Sequence, residues 1–181
     1  MKQFYFYLLW LLITAPVWAQ KTWSGYGGDQ QWNNPDNWNP TGVPGAADDI
    51  IFNNDIQNSD YTVLLPTGNV QVTVNSVVIT PEQGKIISLV LPSGNTSAPG
   101  LVVNGAGNVF IIAEGGIFKN SSGASSGDAI SITGFLCIYD GGRYIHNTPR
   151  GNAQIIDRLS TEENTAKGIF EFDVPGSAGY T

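Results

Sequence analysis

The sequence has a single cysteine, Cys137, and a single histidine, His146, in 181 residues. One cysteine excludes an internal disulfide. One cysteine and one histidine cannot make a metal centre of the His/Cys type. Charge is also scarce: Asp, Glu, Lys and Arg form 13% of the chain, and 8 basic residues face 15 acidic ones. The net charge of −7 argues against nucleic acid and anionic membrane surfaces as partners. No stretch beyond residue 20 sustains a helical apolar period. The best short helix lies around 157–164, and it reads equally as a loop. Long hydrophobic runs are missing except for Phe4 to Ile13. That run is too short to span a bilayer, which needs about 20 residues. With Lys2 before it and Val17-Trp18-Ala19 behind it, it reads as a signal peptide over residues 1–19, cleaved before Gln20. Cleavage leaves 7 basic residues against 15 acidic ones, a net charge of −8. The expected location is extracellular or at the outer cell surface, with no transmembrane segment after cleavage.

What the chain does have is glycine, 22 residues of it, with 10 prolines and many Ser, Thr and Asn between short β-type runs. Three of these runs repeat at a constant spacing: Gly116 aligns with Gly142 and Gly168, and Phe118 with Tyr144 and Phe170. At the same spacing Ile112 aligns with Ile138, and Ala129-Ile130 with Ile155-Ile156. A constant period of this size is the signature of a stacked repeat, and β-type runs make it an all-β solenoid. Alternation points Phe110 and Ile112 inward in one coil, and Leu136 and Ile138 in the next. The Gly-Gly pairs then fall at corners, where glycine reaches φ > 0 without a Cβ penalty. The aromatic residue that follows each pair stacks on its equivalents.

Ahead of the coils, Trp23, Trp32 and Trp38 lie among Gly, Asn and Pro. Residues 20–55 therefore read as a Trp-rich cap that covers the open end of the sheets. The competing use of the three tryptophans is as a glycan platform. Residues 56–181 read as the coils. Strands are expected at Tyr61–Leu65 and Val70–Val74, with Pro66–Asn69 as the turn between them, then at Val77–Ile79, Ile86–Leu91 and Leu101–Val103. Pro92–Gly100, Ser121–Asp128 and Thr148–Asn152 read as protruding loops, the last two from corresponding corners of adjacent coils.

The pattern Trp…Gly-Gly…Trp-x-Asn-Pro-x-Asn-Trp…Gly-Val-Pro-x-x-x-Asp-Asp-Ile over residues 22–52 resembles the N-terminal segment of large secreted surface proteins of Bacteroidota. Those proteins are autotransporter-like β-solenoids exported through the type IX secretion pathway. The run Ile169-Phe170-Glu171-Phe172-Asp173-Val174-Pro175-Gly176 is similar to their repeat body. The resemblance implies a right-handed parallel β-helix, export and surface display. Such proteins carry a C-terminal sorting domain that is not visible here, so the chain is expected to be the front of a longer protein.

Candidates for chemistry are few. Calcium needs clustered oxygen ligands, and Asp48 and Asp49 are the best pair, with Asp29, Asp36, Asn53 and Asp55 near in sequence. Adjacent carboxylates in an extended segment point to opposite sides, so only one of the pair can face a given ion. His146 reads as a satisfied surface side chain and Cys137 as a small buried thiol. A polysaccharide lyase or hydrolase would have to draw on Arg143, Arg150 and Arg158 with Asp140 and Asp157 on one flank. The expected function is a non-catalytic scaffold or adhesin-like module that touches a glycan or another surface component, without a required cofactor. The alternative is a carbohydrate-binding or polysaccharide-cleaving β-helix.

Overall fold

A computed structural model describes residues 19–151 and 153–176. The signal-peptide reading concerns residues 1–18 and Ala19, of which only Ala19 lies within the described residues. The chain begins with β1 (Gln20–Trp23), runs through a 3-10 turn at Pro35–Asn37, and returns as β2 (Trp38–Asn39), antiparallel to β1. It then winds through β3 (Asp49–Phe52), β4 (Tyr61–Leu64) and β5 (Val72–Val74), one strand on each of three faces. The circuit repeats with β6 (Ser76–Ile79), β7 (Ile87–Leu91) and β8 (Leu101–Val103), then β9 (Asn108–Ile112), β10 (Gly116–Asn120) and β11 (Ile130–Ile132). Next come β12 (Phe135–Ile138), β13 (Arg143–His146), α1 (Ala153–Ile156) and β14 (Ile169–Phe172). Every strand after β2 pairs parallel with its counterpart one circuit away. The result is a parallel β-solenoid of about six turns.

Alternation decides the core. Phe52, Ile79, Ile112 and Ile138 form one inward ladder, and Val63, Leu89, Phe118, Tyr144 and Phe170 another. All but the last are buried, and Phe170 is half-buried. Each such side chain removed from water stabilises the fold by about 1.5–3 kcal/mol before entropy is counted. The expected aromatic stack is present, with ring centroids 5.8 Å apart for Phe118–Tyr144 and 4.5 Å for Tyr144–Phe170.

The constant spacing holds from β9 onward, where Ile112 pairs with Ile138, Phe118 with Tyr144 and Tyr144 with Phe170, and it also occurs between β4 and β7, where Val63 pairs with Leu89. Phe118 pairs backward with Leu89, and Phe110 with Val77, so both of these earlier circuits are longer. The extra residues are absorbed at corners, where the register of the strands does not feel them. Of each Gly-Gly pair only the first has φ > 0, at +75° for both Gly115 and Gly141. The aligned Gly116, Gly142 and Gly168 are required instead by close approach. A Cβ on Gly142 would lie 2.4 Å from the Ile112 carbonyl oxygen of the previous coil.

Pro66–Asn69 is the expected turn, a corner between two faces, since β4 and β5 belong to different sheets. Two expectations need correction. The short helix is α1, not 157–164, and it replaces a strand on the third face, so Ile155-Ile156 does not continue the Ala129-Ile130 strand. There Ile155 is buried in the core while Ile156 is exposed. The three loops do not protrude freely either. They stack at one corner, where Asn147 N–H donates to Asn120, Gly123 N–H to Asn95, and Thr148 Oγ1 to the Ser122 carbonyl at 2.8 Å.

The candidate cap and the polar side chains

The cap closes two sheet edges at once. β2 lies beside β1 on the first face, and Gln30–Trp32 lies along β4 on the second, with Trp32 N–H donating to the Leu64 carbonyl at 3.0 Å. Inside it, Trp38 meets Trp32 edge-on at 4.8 Å and Trp23 edge-on at 5.1 Å, with Phe52 beneath. Trp23, Trp32 and Trp38 are 2%, 1% and 1% exposed. Their ring faces are occupied by one another and by Phe52 and Tyr61, so they cannot act as a glycan platform. The correction follows from area: an indole buries about 150–250 Å², more than any other side chain can contribute to so small an end-piece.

Sequence reasoning missed the residue that organises this cap. Asn37 is fully buried. Its Nδ2 donates to Asp29 Oδ1 at 2.7 Å and to the Gln31 carbonyl at 3.0 Å, and its Oδ1 accepts from Gly27 N–H at 2.9 Å. Asp29 in turn accepts from Gln31 N–H and from Asn34 Nδ2. These bonds, the Gln31 N–H first, hold the Asp29 carboxyl below the usual carboxylate range. Asn95 has the same function at a later corner, donating to the Pro66 and Val70 carbonyls of the preceding coil at 2.7 and 2.8 Å. The available signal was an Asn two residues ahead of a backbone N–H it could cap, as in Asn95-Thr96-Ser97 and Asn120-Ser121-Ser122.

Asp48 and Asp49 are not brought together around an ion. Asp48 Oδ2 accepts from Gly45 N–H at 2.7 Å and closes its own turn. Asp49 begins β3 and accepts from Asn75 Nδ2 and Ser76 Oγ of the next coil. Among the described residues no group of three His, Cys, Asp or Glu side chains could hold a metal ion. Of the residues a lyase would need, Asp157 and Arg158 line one pocket beside α1 with Gln154, and the others do not join them there. Arg143 pairs with Glu171 on the outer face of β13, while Arg150 binds the Ser125 carbonyl and Arg158 the Thr133 carbonyl. Asp140 sits at the corner before β13, beside Glu114. Cys137 is buried. Burial pushes its thiol pKa up against a hydrogen bond from Ser160 that lowers it.

His146 is a core residue and not a surface one, with no measurable exposure. Nε2 lies 2.8 Å from the Arg150 carbonyl oxygen, which can only accept, so Nε2 carries the proton. Nδ1 is then free to accept from Tyr144 Oη at 3.4 Å, and Asn120 Nδ2 donates to Tyr144 Oη at 3.3 Å. Phe172 meets the ring edge-on, with centroids 5.8 Å apart. Asp173 and Lys119 pair with each other on the outside. Burial holds the His146 pKa below its ordinary value. The folded chain therefore keeps His146 neutral while the unfolded chain protonates it near pH 6.5. Stability is complete above that pH, falls as pH drops from about 6.5 toward the lowered folded pKa, and then stops responding to this group. The slope is at most about 1.4 kcal/mol per pH unit. Melting curves of wild type and His146→Gln between pH 7.5 and 5 check this; the variant lacks the dependence, because no other histidine exists.

No protein-family model matches the chain, and no curated protein or solved structure shows significant similarity to it. Among the described residues no helix is long and apolar enough to cross a membrane.

Proposed function

We propose that this chain is a secreted or cell-surface β-solenoid scaffold that presents its corners and cap to a glycan or another surface component and performs no chemistry itself. The observation that carries this reading is where the reactive side chains are used. Asp29, Asp49, His146, Asn95 and Asn120 all bond backbone or neighbouring coils, and the tryptophans fill the cap. A surface built from coils in register suits a spacer or display element. Residues 1–19 supply the route of export, and the likeness of residues 22–52 to type IX-exported surface proteins of Bacteroidota supports the same destination.

The test is to express the full chain with an epitope tag in a diderm host, beside a variant lacking residues 1–19. Expected is a product beginning at Gln20 in the medium or accessible to protease on intact cells, with the truncated variant retained inside. An intact Met1 on a cytoplasmic product overturns the reading. Incubation of the exported protein with polysaccharides is expected to yield no new reducing or unsaturated ends; their appearance favours the polysaccharide-cleaving alternative.

A further inference from the structure

The most exposed aromatic side chain of the cap is Tyr26, at 77%, in a protein whose three cap tryptophans are all inside. Its exposure is imposed by its loop. Gly27 N–H bonds Asn37 Oδ1, Gly28 N–H bonds the Gly25 carbonyl, and both Ser24 and Gly25 N–H bond the Asn37 carbonyl. Four backbone donors are thus held around Tyr26, and the ring is presented on a fixed support instead of a mobile one. Gly25 and Gly28, on either side of it, line a cleft of about 280 Å³ between the cap and the second face. The cleft runs on past Asp60 and Thr62 to Ser88 on the neighbouring strand.

The groups along this cleft are polar and partly unused. Asp60 accepts from Ile86 N–H through Oδ1 only, and Gln57 accepts from Trp23 Nε1 through Oε1 only. That leaves Asp60 Oδ2 and the Gln57 amide donor without a bond among the described residues. Gln30, Thr62 and Ser88 make no side-chain hydrogen bond among the described residues. Amide, hydroxyl and carboxylate groups together both donate to and accept from vicinal hydroxyls. Tyr26 does not itself line the cleft but stands on the loop between Gly25 and Gly28, which do, so its ring belongs to the rim of the cleft. An aromatic face at the rim of such a polar cleft suits the C–H face of a pyranose ring. Asp29 and Asp60 also line the cleft, and neither is in a salt bridge among the described residues. With a chain charge of −7, the site disfavours anionic sugars.

We infer that Tyr26 and the adjoining cleft form a binding site for a neutral oligosaccharide, with Tyr26 as the stacking platform and Gln30, Gln57, Asp60 and Thr62 as hydroxyl partners. This deepens the surface-contact part of the proposed function and rests on it only for where the glycan is met. A chain displayed on the surface that binds no glycan loses the site and keeps its location. A chain that binds but stays in the cytoplasm does the reverse.

The experiment is isothermal titration of the purified full chain with cellohexaose, laminarihexaose, mannohexaose and xylohexaose, with hexagalacturonate as the anionic comparison. Expected is binding of at least one neutral hexamer, weakened about tenfold or more by Tyr26→Ala and measurably by Gln30→Ala. Both side chains are exposed, so neither variant shifts the melting temperature, and loss of binding cannot be ascribed to unfolding. The inference is overturned if no neutral hexamer binds at about 10 mM, or if hexagalacturonate is preferred. It is equally overturned if both variants bind like wild type.

Discussion

Trp38→Ala is expected to cost about 3–5 kcal/mol, the usual range for deleting a buried aromatic side chain. Trp38 is 1% exposed and touches Trp23, Trp32 and Phe52, and its indole N–H donates to the Trp32 carbonyl at 2.8 Å. Truncation therefore leaves a cavity at the centre of the cap and an unpaired carbonyl beside it. For a chain of this size the melting temperature falls by roughly 10 °C or more. A second consequence separates the cap from an ordinary core. Once it loosens, the edges of β1 and β4 lose their covers, and uncovered edges recruit other chains. The variant is thus expected to associate at temperatures where wild type is monodisperse, which light scattering during the melt would show. A variant that melts within 2 °C of wild type and scatters no more would mean that the indoles do not hold the end of the solenoid.

Gly142→Ala comes next in size. Its Cβ would lie 2.4 Å from the Ile112 carbonyl oxygen and 3.0 Å from that of Ala113, both backbone atoms of the coil before. Neither can rotate away, so the coils must part locally, and overpacking of this kind costs about 1–3 kcal/mol or more. Gly107 separates this from backbone strain. It has φ +76° but nothing within 4 Å of its would-be Cβ, so Gly107→Ala bears only the left-handed penalty of about 1–2 kcal/mol. Chemical denaturation of both variants checks the ranking. If Gly107→Ala is the worse of the two, close stacking at the repeated glycine is not what position 142 requires.

These two sites differ in how far the sequence revealed them. The alignment of Gly116, Gly142 and Gly168 was visible because a stacked coil repeats its tightest contact at the same place. The reason for it was not, since φ > 0 belongs to Gly115 and Gly141 one position earlier. At the third repeat Lys167 stands where the first glycine would be, and the second glycine persists, as close approach demands. The tryptophans were legible as a cap because aromatic residues spaced by Gly, Asn and Pro suit a packed end-piece. Their exclusion from glycan contact was not legible, since composition does not say which ring faces are covered. The exposed ring turned out to be Tyr26, which lacks any pattern of its own.

Asp48 and Asp49 show the same division. Alternation in an extended segment correctly parts two adjacent carboxylates. Where each then points depends on residues a full coil further along the chain: Asn75 and Ser76 reach Asp49 because β6 lies against β3. His146 is the clearest case. A Tyr-Ile-His run at a coil edge looks exposed, yet the coil ending at Phe172 lies against it and the Arg150 carbonyl closes over its free nitrogen.

By itself, then, the sequence determined the β-class, the inward alternation and the stacking of the last coils, because these depend on strand alternation and on a constant coil spacing along one chain. Only the tertiary structure decided which polar side chains bind and which are free, where the third face turns to helix, and which aromatic ring meets solvent. Each of those outcomes is set by contacts between coils, and such contacts join residues too far apart in sequence to leave a local pattern.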